Sequence, residues 1–404
     1  MRKVAVDRPA PWASDAATVP AVVVGSGITA LGTVRTLSRL GIPVYSVVPS
    51  DDLVALSRWH RAVDDGAGTI VGLSEGAAFE HLPFGRVVPF ACTDAAARAI
   101  TRVSHADPER FPCVIPREDT LNLFLDKASF ARVLAELELP HPRTRILSDA
   151  ADLACLENGA WVRPFLKPTD SHGFYRRHKA KACFVRDRAH AETLWRRFHD
   201  EGLETILQDY VPGPPTNHWF VDGYRDRHGR IRARFARQRI RMYPVDFGSS
   251  SSLISRSLTD AAEPVAVVDR LVEAVDYRGI YSAELKRDER DGRFRLLEVN
   301  ARPWWYVEYA ARCGVDVCEL AYRDALGLPL RDVGEYAVGK RLMLPYHDYA
   351  AMQLTDLGAR PSLAAWALSW LGSQQAILSW SDPVPGIRMI SDRALGWVQR
   401  HVVR

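Results

Sequence analysis

The chain has 404 residues, 47% of them hydrophobic and 25% charged, a balance that supports two or three packed units and excludes a disordered chain. Its 53 Lys and Arg against 49 Asp and Glu give a formal charge of +4, too slight for a dedicated nucleic-acid binder. Six cysteines, of which Cys313 and Cys318 lie closest in sequence, exclude a disulfide scaffold and predict reduced, mostly buried thiols.

The first twenty residues read as unstructured, with basic residues but no apolar run that would make a secretory signal. No stretch of about 18 uncharged apolar residues occurs, so no conventional membrane span and no membrane partner are predicted, and the expected location is the cytoplasm. The first element is the strand AVVVG. A glycine turn, a helix closed by Gly41 and a second strand over Val44–Val48 complete a βαβ unit of an open parallel sheet. Gly25, Gly27 and Gly32 are spaced GxGxxxxG rather than GxGxxG, and Asp51 and Asp52 follow the second strand instead of ending it. This predicts a Rossmann-like domain that shapes a cleft, with a dinucleotide-dependent oxidoreductase as the competing reading.

From Thr120, Leu125, Phe130, Leu134 and Leu137 recur at helical spacing, predicting one amphipathic helix ended by Pro140 and Pro142. Next come a strand carrying Lys167, the polar loop PTDSHGFYRR with Gly173, and the strand of ILQDYV. A hairpin turning at Arg227–Gly229, a helix from about Pro264 to Val275 and two further strands follow. The apolar stretch at 362–380, interrupted by Gly372 and the glutamines, reads as two core helices, with a peripheral membrane contact as the lesser alternative.

The chemistry concentrates in YSAELKRDERDGRFRLLEVNAR. Strand alternation puts Glu284 and Lys286 on one face of one strand and Glu298, Asn300 and Arg302 on one face of the next. If the hairpin is symmetric about Asp291, Glu284 faces Glu298. Two carboxylates about 5 Å apart repel unless a cation lies between them, and oxygen donors beside Lys and Arg suit Mg²⁺ carrying phosphates. The alternative is a solvated salt-bridged hairpin.

A second pattern is RIRARFARQRIRMYP. Arg230, Arg232 and Arg234 alternate with apolar residues. After a phase slip near Ala236, Arg237, Arg239 and Arg241 repeat the pattern, so that one strand face carries a column of guanidinium groups. Arg241, nearest the Tyr243–Pro244 turn, is the expected active member, and a nucleic-acid groove is the alternative. Lys127 before a helix and Lys167 before the polar loop are phosphate candidates, with His172 and His178 as lesser ones.

In chain order, LDKASF, FLKPTDSHG, ILQDYVPG, RIRMYPVDFG and AELKRD…LLEVNARPW resemble the ATP-grasp superfamily of carboxylate–amine ligases. The resemblance covers roughly residues 20–330 and implies a mixed α/β and α+β architecture. A flexible 1–20 segment and a Rossmann-like domain over 21–118 would precede an ATP-grasp domain over 119–330, its lid at about 145–210, and a helical extension over 331–404. Carried over by position, it implies that Lys127, Lys167, Gly173, Gln208, Tyr210 and Val211 bind ATP. It implies that Glu284, Glu298 and Asn300 hold magnesium, two ions or alternatively Mn²⁺, and that Arg241 and Lys286 bind the γ-phosphate and the acyl phosphate. Arg302, beside the metal ligands, would be the motif's arginine and the third catalytic residue. Pro214 and Pro215 stand where relatives often hold ribose with an acid, leaving Asn217 as a substitute. The partners implied are a small carboxylate and a small amine, with a homodimer by family analogy and no nucleic acid. Trp304, Trp305 and Tyr306 either line the acceptor pocket or pack on the first domain.

Overall fold

The structure, a computed structural model, describes residues 19–64, 69–70, 79, 81–169, 174, 177–354 and 360–401. Gly173 and His172 therefore lie outside the described residues, as does most of the N-terminal segment.

Strands β1 (Ala21–Val24), β2 (Val44–Val47) and β3 (Val88–Ala91) form a parallel sheet in the order β2-β1-β3. Helix α1 (Gly27–Arg39) crosses between the first two, and α2 (Asp94–Ala106) follows β3. Its Ala30, Leu31, Val34 and Leu37 are fully buried, and burying each of the larger three contributes about 1.5–3 kcal/mol. Gly32 serves this packing: a Cβ there would meet Val307 at 3.3 Å, so the glycine lets α1 lie close against α7 (Val307–Cys313).

The predicted single helix after Thr120 is two, α3 (Glu118–Leu125) and α4 (Lys127–Glu136). Asp126 divides them, with an extended backbone and a side chain that caps the Ser129 N–H. Aspartate competes for backbone donors in this way, and the helical spacing alone does not register the break.

A four-stranded sheet follows: β4 (Thr144–Leu147), β5 (Phe165–Pro168), β6 (Cys183–Phe184) and β7 (Thr205–Gln208), in the order β4-β7-β5-β6. Helix α5 (Arg188–Asp200) packs on it, and Leu147, Leu153, Leu166, Phe198 and Leu207 give this unit a core of its own.

The main sheet has seven strands. They are β8 (His218–Arg225), β9 (Ile231–Tyr243), β10 (Ser249–Arg256), β11 (Gly279–Arg287), β12 (Phe294–Asn300), β13 (Arg341–Met343) and β14 (Ser373–Gln375), ordered β12-β11-β8-β9-β10-β13-β14. Helix α6 (Ala262–Ala274) covers one face. Helices α7 and α8 (Val317–Ala325) cover the other and join it to the first sheet in one core.

Beyond it lie α9 (Pro345–Gln353), α10 (Leu363–Trp370) and α11 (Val384–His401). The expectation of two core helices over 362–380 is corrected here. The stretch holds one helix, none of whose residues is buried, and a short strand at the sheet edge. Uniformly apolar composition signals a core helix only where other elements cover it. Of the six cysteines, Cys92, Cys313 and Cys318 are buried and the others partly so, all free.

Candidate active site

The hairpin of β11 and β12 sets Glu284 directly opposite Glu298, and Ser282 opposite Asn300. Near the turn the partners are Arg287 with Phe294 and Lys286 with Arg295, half a residue off symmetry about Asp291. An extra residue, Leu297, enters before Glu298 and restores the register, because Leu285 pairs with Leu296 and Glu284 with Glu298. The bulge thus creates the carboxylate pair.

Glu284 is held from two sides. His218 Nδ1 lies 2.7 Å from its Oε1 and Arg239 Nη2 3.0 Å from the same oxygen. Burial pushes against ionisation, but the Arg239 charge and the His218 hydrogen bond outweigh it and hold the carboxyl well below the usual carboxylate range. Glu298, by contrast, is exposed. Lys286 is buried, with Nζ 3.2 Å from the Tyr210 hydroxyl and 4.4 Å from that ring's centre. Burial, then the nearby Arg239, lower its ammonium to about 8. Protein crowding also lowers Lys181, which keeps solvent access at the rim, while Glu298 and Glu284 act on it in the opposite sense.

A cleft between the four-stranded sheet and the β12 edge is lined by Lys127, Thr144, Lys167, Ile206, Gln208 and Leu297. Three of the predicted nucleotide residues therefore meet in one place. Lys127 Nζ donates to the Thr169 carbonyl at 2.6 Å, and the Gln208 amide donates to Thr144 Oγ1 at 2.9 Å. In the linker, the Tyr210 N–H donates to Val162 O at 3.2 Å. Val211 is buried at the linker's next position.

Several predicted residues are placed elsewhere. The register of β9 against β8 runs unbroken from Gln238 to Ala233, so no slip occurs at Ala236 and the arginine column divides between two faces. Arg232 and Arg234 pair with Asp226 and Asp269 on one face. On the Glu284 face, Arg237 pairs with the fully buried Asp222. The irregularity lies later, between Arg239 and Arg241. Arg241, the expected active member, closes a two-bond fork on Asp348 at 2.8 and 2.7 Å. Arg239 is the one that reaches the carboxylate pair. Arg302 turns to the first domain, where Nε donates to Asp94 at 2.6 Å. His178 binds Glu201 at 2.7 Å and stacks on Phe174, and the Asn217 amide donates to the Arg287 carbonyl. Trp304 and Tyr306 are buried packing residues and Trp305 is exposed.

Sequence reasoning missed His218 and Lys181, and passed over Arg239 in favour of Arg241. His218 had a usable signal: two residues before Phe220 on β8, it lies directly opposite Lys286. Lys181 had none, since its position depends on how the sheets face each other.

Among the described residues no three His, Cys, Asp or Glu side chains converge as a metal cage. Two carboxylates and an amide do lie at the end of β12, and the buried His218 Nε2 beside them has no hydrogen-bond partner. Such an incomplete oxygen set suits an ion that takes its remaining ligands from phosphates and water, as Mg²⁺ does. The other two readings find no support. The Gly27 N–H at the glycine turn is already taken by Asp52 at 2.7 Å, and the ladder arginines from 232 to 241 all carry acidic partners.

No family model matches the chain. It is 25% identical over 305 residues to the D-aspartate ligase of Enterococcus faecium (strain Aus0004), covering 70% of each chain. In fold it resembles the biotin carboxylase domain of Hydrogenobacter thermophilus 2-oxoglutarate carboxylase, solved as a dimer with MgADP and bicarbonate. That match has a TM-score of 0.63 and 16% identity over 81% of this chain and 74% of that one. N5-carboxyaminoimidazole ribonucleotide synthetase from Thermotoga maritima gives a TM-score of 0.56 at 15% identity over 80% of each. These structural likenesses show a fold shared with the biotin carboxylase domain and the ribonucleotide synthetase.

Proposed function

We propose that the enzyme activates a small carboxylate with ATP and joins it to an amine. A carboxylate oxygen attacks the γ-phosphorus and ADP leaves. The amine nitrogen then attacks the acyl carbon, phosphate departs, the nitrogen loses a proton, and an amide results. One observation carries this reading: Glu284 and Glu298 face each other beside the cations Arg239 and Lys286.

Glu284, Glu298 and Asn300 are the residues that would hold magnesium, whose charge offsets that of the phosphates. Lys286 and Arg239 add positive charge from buried positions, where it acts strongly on developing negative charge. Lys127 and Lys167 line the cleft that would take the nucleotide, with the Gln208–Val211 linker along its edge. The likeness to a D-aspartate ligase makes an amino acid the first substrate class to test.

The test is ADP release with ATP and Mg²⁺ across amino acids, peptides and small di-acids, with hydroxylamine present in parallel. An acyl phosphate gives a hydroxamate with hydroxylamine whatever the natural amine is. ADP release without hydroxamate for any acid that stimulates turnover would refute the acyl phosphate.

A further inference from the structure

Outside the active site, the least expected surface lies at 360–390. Helix α10 exposes Leu363 at 61% and Leu368 at 62%, and Leu371 follows at 77%. Trp380 is 97% exposed, and α11 continues with exposed Ile387 and Ile390. A tryptophan in solvent ordinarily belongs to a loose loop. Here both flanks are pinned. The Ile377 carbonyl accepts from Arg35 Nη1 at 2.7 Å, and the buried Asp382 accepts from Arg35 Nε at 2.8 Å, Ser57 Oγ at 2.7 Å and the Arg58 N–H at 2.9 Å. A buried ionic hub thus holds an indole in water.

The charges around this surface are uneven. Between Arg360 and Asp382 the sequence has no charged residue, and the Asp382 carboxylate is buried. Arg58, whose guanidinium reaches the Ser381 carbonyl at 3.3 Å, flanks Trp380, and Arg360 precedes α10 in sequence, while Arg388 on α11 is neutralised by Asp392. A two-fold contact between copies of the chain would set this cationic margin against itself. An anionic bilayer neutralises it, while leucines, isoleucines and an amphipathic indole enter the headgroup boundary.

We propose that this surface docks the enzyme peripherally on membranes containing anionic lipid. The proposal is independent of the reaction assigned above.

The test is co-sedimentation of the full chain with vesicles of phosphatidylcholine alone or mixed with phosphatidylglycerol, alongside sedimentation velocity without lipid. Binding should require phosphatidylglycerol and fall about tenfold in Trp380→Ser and in Leu371→Asp, with unchanged ATP turnover. The exposed Trp380 cannot be needed for folding, so its variant keeps the test decisive if Leu371→Asp is unstable. Equal binding to both vesicle types, no binding to either, or a lipid-free dimer that Leu371→Asp dissociates would each overturn the proposal, the last by assigning the surface to a second copy.

Discussion

Glu284 illustrates how one carboxylate is kept charged inside protein. Its two partners come from neighbouring and next-neighbouring strands, and Arg239 is itself almost fully buried. Removing one member of such a pair leaves an unmatched buried charge. Arg239→Ala is therefore expected to cost about 3 kcal/mol, read by chemical denaturation, whereas Arg230→Ala on the exposed end of the ladder should change little. Glu298 is exposed, so Glu298→Ala should keep the melting temperature yet lower ATP turnover at least about 100-fold; undiminished turnover would remove it from the metal set. Lys286→Met tests the other charge and should lower turnover by a similar factor. The direct facing of Glu284 and Glu298 comes from the bulge at Leu297, because the turn is centred half a residue off Asp291. The placing of both acids on one hairpin was legible from alternation and turn residues. The choice between Arg239 and Arg241 was not. It depends on whether β9 slips against its neighbours, and nothing in alternating arginines tells a slip at Ala236 from one beyond Arg239.

At the scale of elements, caps decide what spacing leaves open. Asp126 splits one amphipathic stretch into α3 and α4, which places Lys127 at the first turn of a helix lining the cleft. Asp316 caps α8 by accepting the Glu319 N–H at 2.8 Å. Burial, with the neighbouring Glu319 adding to it, raises this carboxyl to about 7. The folded state then holds a proton that the unfolded chain releases near pH 4, so this group favours folding more as pH falls through 7 and loses that advantage above it. Asparagine caps equally well and carries no charge. Asp316→Asn should raise the melting temperature relative to the parent at pH 8 and lose most of that gain at pH 5. A gain that is the same at both values would dissociate Asp316 from the titration. The hairpins, α6 and the first βαβ unit were readable from alternation and turn residues. Helix α10 was not, because composition records apolarity and is silent on what covers it.

For the whole molecule, the first sheet, the main sheet and the distal helices behave as one unit tied by buried ions. Arg35 on α1 and Asp382 are 2.8 Å apart and both almost wholly buried, and Glu308 on α7 lies 3.5 Å from the same guanidinium. Arg302 adds a further tie to Asp94, and Arg241 with Asp348 fastens α9 to β9. Asp382→Ala should therefore destabilise by about 3–5 kcal/mol and open the Ile377–Asp382 segment to proteolysis. The measurement is limited digestion with mapping of the first cleavage, and a digestion pattern like the parent's would show that the hub is dispensable. The segments that supply strands to each sheet were legible, since each carries its own motif. The ties between them were not, because ion pairs across hundreds of residues leave no local trace.

The separation of Arg35 from Asp382 has a consequence for biosynthesis. Their bond closes over 347 positions, so the guanidinium of α1 leaves the ribosome long before its counter-ion has been translated. Until then that helix carries a cation on the side it must bury, and the N-terminal sheet cannot complete its native packing. Ribosome-stalled chains released before and after residue 382 should differ sharply in protease resistance of the first hundred residues.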